Sequence, residues 1–166
     1  MSFLEFDRLS KAFPGVQALS DVSFGVEEGS IHALCGENGA GKSTLLKLLS
    51  GVYRPDSGSI RIGDATMEYS SPFGALQAGV AVIYQELHLA PEMTVAENIY
   101  LGHYPNAGGW IDRRTLDQRA FERLREVGID IDPSAKVGSL SIAQRQMVEI
   151  AKALSRDAKV LAFDEP

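Results

Sequence analysis

The stretch Gly36-Glu37-Asn38-Gly39-Ala40-Gly41-Lys42-Ser43 decides how the chain is read, because it satisfies G-x-x-x-x-G-K-[ST] at every position. Its flanks are those such a loop requires. On one side Ile31-His32-Ala33-Leu34-Cys35 is a short apolar run, predicted as a strand. On the other, Lys42 to Leu49 has the continuous apolar character of a buried helix, stopped by Gly51 and the Pro55-Asp56-Ser57-Gly58 turn. The glycines let the backbone curl so that successive N–H groups point inward, and the helix N-terminus adds the positive end of its dipole. Gly36, Asn38, Gly39, Ala40, Gly41 and Thr44 are thus expected to cradle the phosphates of a nucleotide. Lys42 would reach the β- and γ-phosphates and the Ser43 hydroxyl would ligate Mg²⁺. An ordinary strand-to-helix turn has no need of Gly-Lys-Ser at the helix start.

Further along the chain, Lys159 to Phe163 reads as a buried strand ending in Asp164-Glu165. Asp164 at the strand's carboxyl end can hold Mg²⁺, and Glu165, pointing to the other side, can polarise an attacking water. Taken alone, an apolar strand with an acidic end is common; beside the glycine-rich loop it becomes the second half of a site.

The N-terminal third alternates with a period of two over Phe3 to Leu9 and Ser20 to Val26, around a Phe13-Pro14-Gly15 turn, with a further strand at Ser59 to Ile62. A short helix over Pro72 to Ala78 precedes a strand at Val80 to Tyr84. From about Glu86 the pattern turns helical. Thr94 and Glu97 have capping-box spacing at the start of a helix to Leu101, and Ser141 and Gln144 repeat that spacing. Leu116, Ala120, Leu124 and Val127 form an apolar stripe between Asp112 and Val127, whose charged residues make a solvated face. In the last helix the stripe is Met147, Ile150, Ala151 and Leu154. Alternating strands and helices predict an α/β domain with a largely parallel sheet. His32, His88, His103 and Cys35 are too dispersed to ligate a metal, and the histidines and Trp110 are read as structural.

Composition limits the alternatives. Of 166 residues 45% are hydrophobic and 23% charged, enough apolar content for a core, so disorder is excluded as the main state. The 16 Lys+Arg and 22 Asp+Glu leave a net charge of −6, with no basic stripe, which argues against nucleic acid as a partner. Apolar runs such as Gly79 to Tyr84 are far shorter than the roughly 20 residues of a bilayer-spanning helix. With a single cysteine and no basic apolar leader, a cytoplasmic location is expected.

These residues together resemble the ATP-binding subunits of ABC transporters, and within them those of bacterial monosaccharide (ribose-type) importers. Besides Gly36–Thr44 and Asp164-Glu165, the resemblance rests on Val82-Ile83-Tyr84-Gln85-Glu86-Leu87, on Met93-Thr94-Val95-Ala96-Glu97-Asn98-Ile99, and on Leu140-Ser141-Ile142-Ala143-Gln144 running into Gln146 to Ala151. It covers nearly the whole chain. It implies a P-loop NTPase core, mostly parallel sheet with an N-terminal antiparallel β portion, over 1–85 and 152–166. A helical subdomain over 86–151, carrying the signature motif, would be inserted into it. Gln85 matches the family's mobile glutamine, which joins Mg²⁺. Phe13 matches the aromatic that stacks on adenine, with sheet packing as its alternative role. Ser141 and Gln144 lie in the motif that covers the γ-phosphate bound to an opposing nucleotide-binding domain. Ile142 and Ala143 stand where that motif usually has two glycines, so bulk is added where a phosphate should approach.

By the same resemblance the expected activity is ATP hydrolysis that powers sugar import, catalysed by Glu165, Lys42 and Gln85. The partners would be a membrane permease, a second nucleotide-binding domain and, indirectly, a sugar-binding protein, with the subunit peripheral on the inner face of the cell membrane. The 166 residues read as an N-terminal fragment that stops directly after the strand bearing Asp164, and the fragment alone is expected to be inactive. Two other readings remain open: a nucleotide-dependent binding module with little hydrolysis, and a soluble ABC-type ATPase outside transport.

Overall fold

The structure, a computed structural model, describes residues 2–67 and 71–164. The chain divides into two compact units, one from the described parts of 1–82 with 159–164, the other from 83–158.

The first unit is built on a long hairpin. β1 (Ser2–Phe13) and β2 (Val16–Glu27) pair antiparallel through the predicted Pro14-Gly15 turn, with Gly15 at φ 81°. Four register shifts bend it, and near them Arg8 and Asp21 take positive φ. Each freed amide finds a serine across the hairpin, Arg8 N–H donating to Ser23 Oγ at 2.8 Å and Asp21 N–H to Ser10 Oγ at 3.0 Å. β3 (Ser57–Ile62) adds to the other edge of β1, and β4 (Ala65–Thr66) to β3, giving the antiparallel order β2-β1-β3-β4. Leu4, Phe6, Leu9, Ile60 and Ile62 form the sheet's inner face and share one core with Leu45, Leu46, Leu48 and Leu49 of α1 (Lys42–Leu49). The period of two in the strands and the apolar run in the helix thus serve a single interface. α2 (Pro72–Gln77) follows, capped by Ser71, and β5 (Val80–Ile83) pairs with β8 (Val160–Phe163). These two strands form a separate two-stranded sheet.

One prediction fails in this unit. Residues 31–35 form no strand among the described residues and are exposed throughout, Ile31 completely so. A strand exists only where a neighbour accepts and donates along its ladder, and no described strand lies beside 31–35 to do so.

The second unit is helical. α3 (Val95–Ile99), α4 (Arg113–Glu126) and α5 (Ile142–Leu154) enclose a separate core of Val95, Ile99, Leu116, Leu124 and Val148. Between α3 and α4 stands a small hairpin of β6 (Asn106–Ala107) and β7 (Trp110–Ile111). The α4 stripe is buried as predicted at Leu116, Ala120 and Leu124. In α5 the seam is rotated from the expected one: Val148, Ala151 and Ala153 are buried, while Met147 is 42% exposed. Trp110, read as a packing residue, is 82% exposed. Among the described residues no helix is long and apolar enough to cross a membrane.

Candidate nucleotide site

The glycine-rich loop ends in a helix start unlike the others. Side chains cap α2 through α5 at Ser71, Thr94, Asp112 and Ser141, whereas α1 has Gly41 at its N-cap and no side-chain cap. The first N–H groups of α1, at Lys42, Ser43 and Thr44, therefore have no built-in acceptor from a cap and present the positive dipole end to whatever enters the loop. Gly41 sits at φ 90°, and a Cβ there would lie 2.5 Å from the Ala18 carbonyl oxygen and 2.8 Å from Leu19 Cδ2. The position requires glycine twice over, by conformation and by close approach to β2. Gly39, also with positive φ (86°), and Ala40, whose N–H donates to the Glu37 carbonyl at 3.1 Å, complete the turn. Gly36 and Asn38 lie in its exposed leading part.

Lys42 folds back across this loop. Its Nζ donates to the carbonyls of Gly36 at 2.7 Å and Glu37 at 2.9 Å, so the ammonium ties the loop's last residues to its first and holds a full positive charge against it.

Ser43 and Asp164 are brought together from opposite ends of the chain, Ser43 Oγ donating to Asp164 Oδ1 at 2.9 Å. Asp164 is carried there by β8, and Ser43 by the first turn of α1. Both are hard oxygen donors. Among the described residues no group of three or more His, Cys, Asp or Glu side chains could hold a metal by itself. A cation at this pair would have to complete its shell with non-protein oxygens, which is the habit of Mg²⁺ with one carboxylate, substrate phosphates and water. The residues present fit that ion.

Phe13 lies at the end of β1, half-buried, edge-on to Tyr53 with ring centroids 5.2 Å apart and with Lys11 Nζ 5.7 Å from its centroid. Asp56 secures this strand end: it accepts from Lys11 Nζ and from Ala12 N–H, each at 2.7 Å. Those two bonds, the lysine's first, hold its carboxyl below the ordinary aspartate range. In the sequence Asp56 reads only as a turn residue; a carboxylate whose partners lie more than forty positions away leaves no local signal.

In the second unit Gln85 is exposed in the bend directly after β5. Ser141 and Gln144 form the predicted capping box: Ser141 Oγ accepts from Gln144 N–H at 3.3 Å, and Gln144 Oε1 accepts from Ser141 N–H at 2.9 Å. Arg145 fastens this helix start to the preceding turn, Val137–Ser139, by donating from Nε to the Val137 carbonyl at 3.1 Å and from the guanidinium to the Gly138 carbonyl at 2.8 Å. That role was invisible in sequence. Ile142, the residue in place of a glycine, is 71% exposed. The expected catalytic residue Glu165 lies outside the described residues. Each histidine lies against an aromatic ring, His32 on Phe24, His88 on Tyr84 and His103 on Tyr100.

Comparison with known proteins gives a consistent outcome. The family model described as ABC transporter matches residues 19–166. The arabinose import ATP-binding protein AraG of Rhizobium meliloti is 59% identical over 164 residues, covering 99% of this chain and 32% of that protein. AraG of Pseudomonas savastanoi pv. phaseolicola is 58% identical over 163 residues, covering 98% of this chain and 32% of that protein. The chain thus spans about a third of the length of the curated relatives it matches. Among solved structures, a nucleotide-free ATP-binding cassette from an ABC transporter aligns with a TM-score of 0.84 at 28% identity, over 100% of this chain and 70% of that one. Another, cbiO1 of Clostridium perfringens, aligns with a TM-score of 0.81 at 26% identity, over 99% of this chain and 66% of that one.

Proposed function

This chain belongs to the ABC transporter family, and from that premise we propose that it supplies the ATP-binding half-site of a sugar importer, in which MgATP hydrolysis powers uptake of a monosaccharide through a membrane permease. The observation that carries the reading is the Ser43–Asp164 contact at 2.9 Å beside a helix start that no side chain caps. Arabinose is the first sugar to test, because the relatives at 58–59% identity are named for its import.

The chain's own residues divide the work. Loop N–H groups from Gly36 to Thr44 and the α1 dipole bind the phosphates, and Lys42 moves from the Gly36 and Glu37 carbonyls to the β- and γ-phosphate oxygens. Ser43 and Asp164 would hold Mg²⁺, and by the family resemblance Gln85 would be a further ligand; the ion would supply neutralisation of charge on the β- and γ-phosphates. Phe13 stacks on the adenine. Glu165 accepts a proton from water as its oxygen bonds to the γ-phosphorus and the bond to the ADP oxygen breaks. Residues 86–151 act as the signature-motif subdomain, with Ser141 and Gln144 facing the γ-phosphate of a second nucleotide-binding domain. The permease, the sugar-binding protein upstream of it and a position on the inner face of the cell membrane belong to the same proposal.

The test uses the full-length protein with its permease. Lys42→Ala is expected to lose most nucleotide affinity or turnover, and Glu165→Gln to keep ATP binding while hydrolysis falls by orders of magnitude; unchanged turnover in either removes the assigned role. The exposed Ile142 at the start of α5 favours a second reading, a binding module with little hydrolysis. Steady-state ATPase activity at or near background with the permease present would select it.

A further inference from the structure

β1 runs past its last partner in β3. Ser10 pairs with Ser57, the first residue of β3, and among the described residues Lys11, Ala12 and Phe13 meet no further strand on that side. On the opposite side the pairing with β2 shifts register between Leu9 and Lys11 and again between Lys11 and Ala12. Such irregularities re-aim the side chains that follow, so the ladder alone does not fix the direction of Phe13. Asp56, directly before β3, supplies what the ladder lacks. Its N–H donates to the Ser10 carbonyl at 2.9 Å, and its carboxylate accepts from Ala12 N–H and from Lys11 Nζ, each at 2.7 Å. A side chain thus takes the place of the next strand pairing.

The same carboxylate decides where the Lys11 charge lies. The Lys11 side chain is only 17% exposed, and an ammonium so far withdrawn from water needs an anionic partner. Lys11 Nζ is also 5.7 Å from the Phe13 centroid, within reach of the ring's negative face, and without Asp56 it would be drawn onto that face. On its other flank Phe13 meets Tyr53, which is packed against the first core. All of these residues belong to the first unit.

We propose that Asp56 is a positioning residue for the nucleobase: through Ala12 N–H and Lys11 it sets the direction of the Phe13 ring and keeps that ring free for the base to stack on. The inference rests on the reading of Phe13 as the aromatic beneath adenine. It depends on geometry and not on net charge, since one carboxylate here meets one ammonium.

The experiment compares two ligands on full-length protein by calorimetry, each with Mg²⁺: a non-hydrolysable ATP analogue, and inorganic tripolyphosphate, which offers phosphates but no base. Phe13→Ala should weaken the analogue about tenfold and leave tripolyphosphate unchanged. Asp56→Ala should weaken the analogue at least about threefold, again without effect on tripolyphosphate, and should add nothing in the Phe13→Ala background. Asp56→Asn keeps an acceptor for Ala12 N–H and loses the charge that holds Lys11, so it should show the same selective loss in smaller measure. If the Asp56 variants weaken both ligands equally, or add fully to Phe13→Ala, Asp56 only supports the fold and the proposal fails. If Phe13→Ala leaves the analogue's affinity unchanged, the reading of Phe13 fails instead, and the proposal falls with it.

Discussion

Asn98 is fully buried and fully used: its Nδ2 donates to the carbonyls of Ala90 at 3.0 Å and Thr94 at 2.9 Å, and its Oδ1 accepts from Ala90 N–H at 2.7 Å. Truncation would leave the Ala90 N–H without its acceptor and take one of two hydrogen bonds from each of the Ala90 and Thr94 carbonyls, which keep Met93 N–H and Asn98 N–H, so Asn98→Ala is expected to cost about 1–3 kcal/mol, read as a lower urea midpoint at unchanged slope. Asn98→Asp should be worse, since it presents a charge to two carbonyl oxygens. At the nucleotide site the corresponding pair is Ser43 and Asp164. Ser43→Ala removes one hard ligand and leaves the carboxylate, so full-length protein should need at least about tenfold more Mg²⁺ for half-maximal nucleotide binding. An unchanged Mg²⁺ requirement would detach Ser43 from the metal. Both residues stand in readable motifs, yet only the motif of Ser43 states a function. The need for Asn98 arises from a loop that passes over it, which no spacing in the sequence announces.

For single elements, capping was the most legible feature. Thr94 and Glu97 begin α3 as the spacing predicts, Thr94 Oγ1 accepting from Glu97 N–H at 3.1 Å and Glu97 accepting from Thr94 N–H at 2.8 Å. That second bond, ahead of the opposing effect of burial, keeps the Glu97 carboxyl below the ordinary glutamate range. A lowered folded value means that the unfolded chain binds the proton more readily. The stabilisation is therefore present above the ordinary glutamate value and is lost as pH falls through the folded one. Glu97→Gln should flatten that acid limb in urea midpoints measured across the range; a limb of unchanged steepness would assign it to other carboxylates. The start of α1 is the opposite case, with nothing local to cap it. Gly41→Ala would drive a Cβ into the Ala18 carbonyl and demand a strained φ, so it should lower thermal stability and nucleotide affinity together.

Across the whole molecule, the hydrophobic side chains gather into two cores, one around Leu9, Leu48 and Ile60, the other around Ile99, Leu116 and Leu124. Leu124→Ala should cost about 2–5 kcal/mol and, in native-state hydrogen exchange, raise the rates of α3, α4 and α5 while α1 and β1 keep their protection. Equal loss everywhere would mean a single cooperative unit. The capping boxes of α3 and α5, the turn at Pro14-Gly15 and the family were legible along the chain, because each rests on residues close in sequence whose types admit few conformations. The other features were set by contacts in three dimensions. Those contacts left residues 31–35 without a ladder, turned Met147 out of α5 and Trp110 into solvent, tied Asp56 to the end of β1, and set Ser43 against Asp164. These outcomes depend on which surfaces meet across long stretches of chain, and a strand, a seam or a metal-ready pair forms only when its partner arrives.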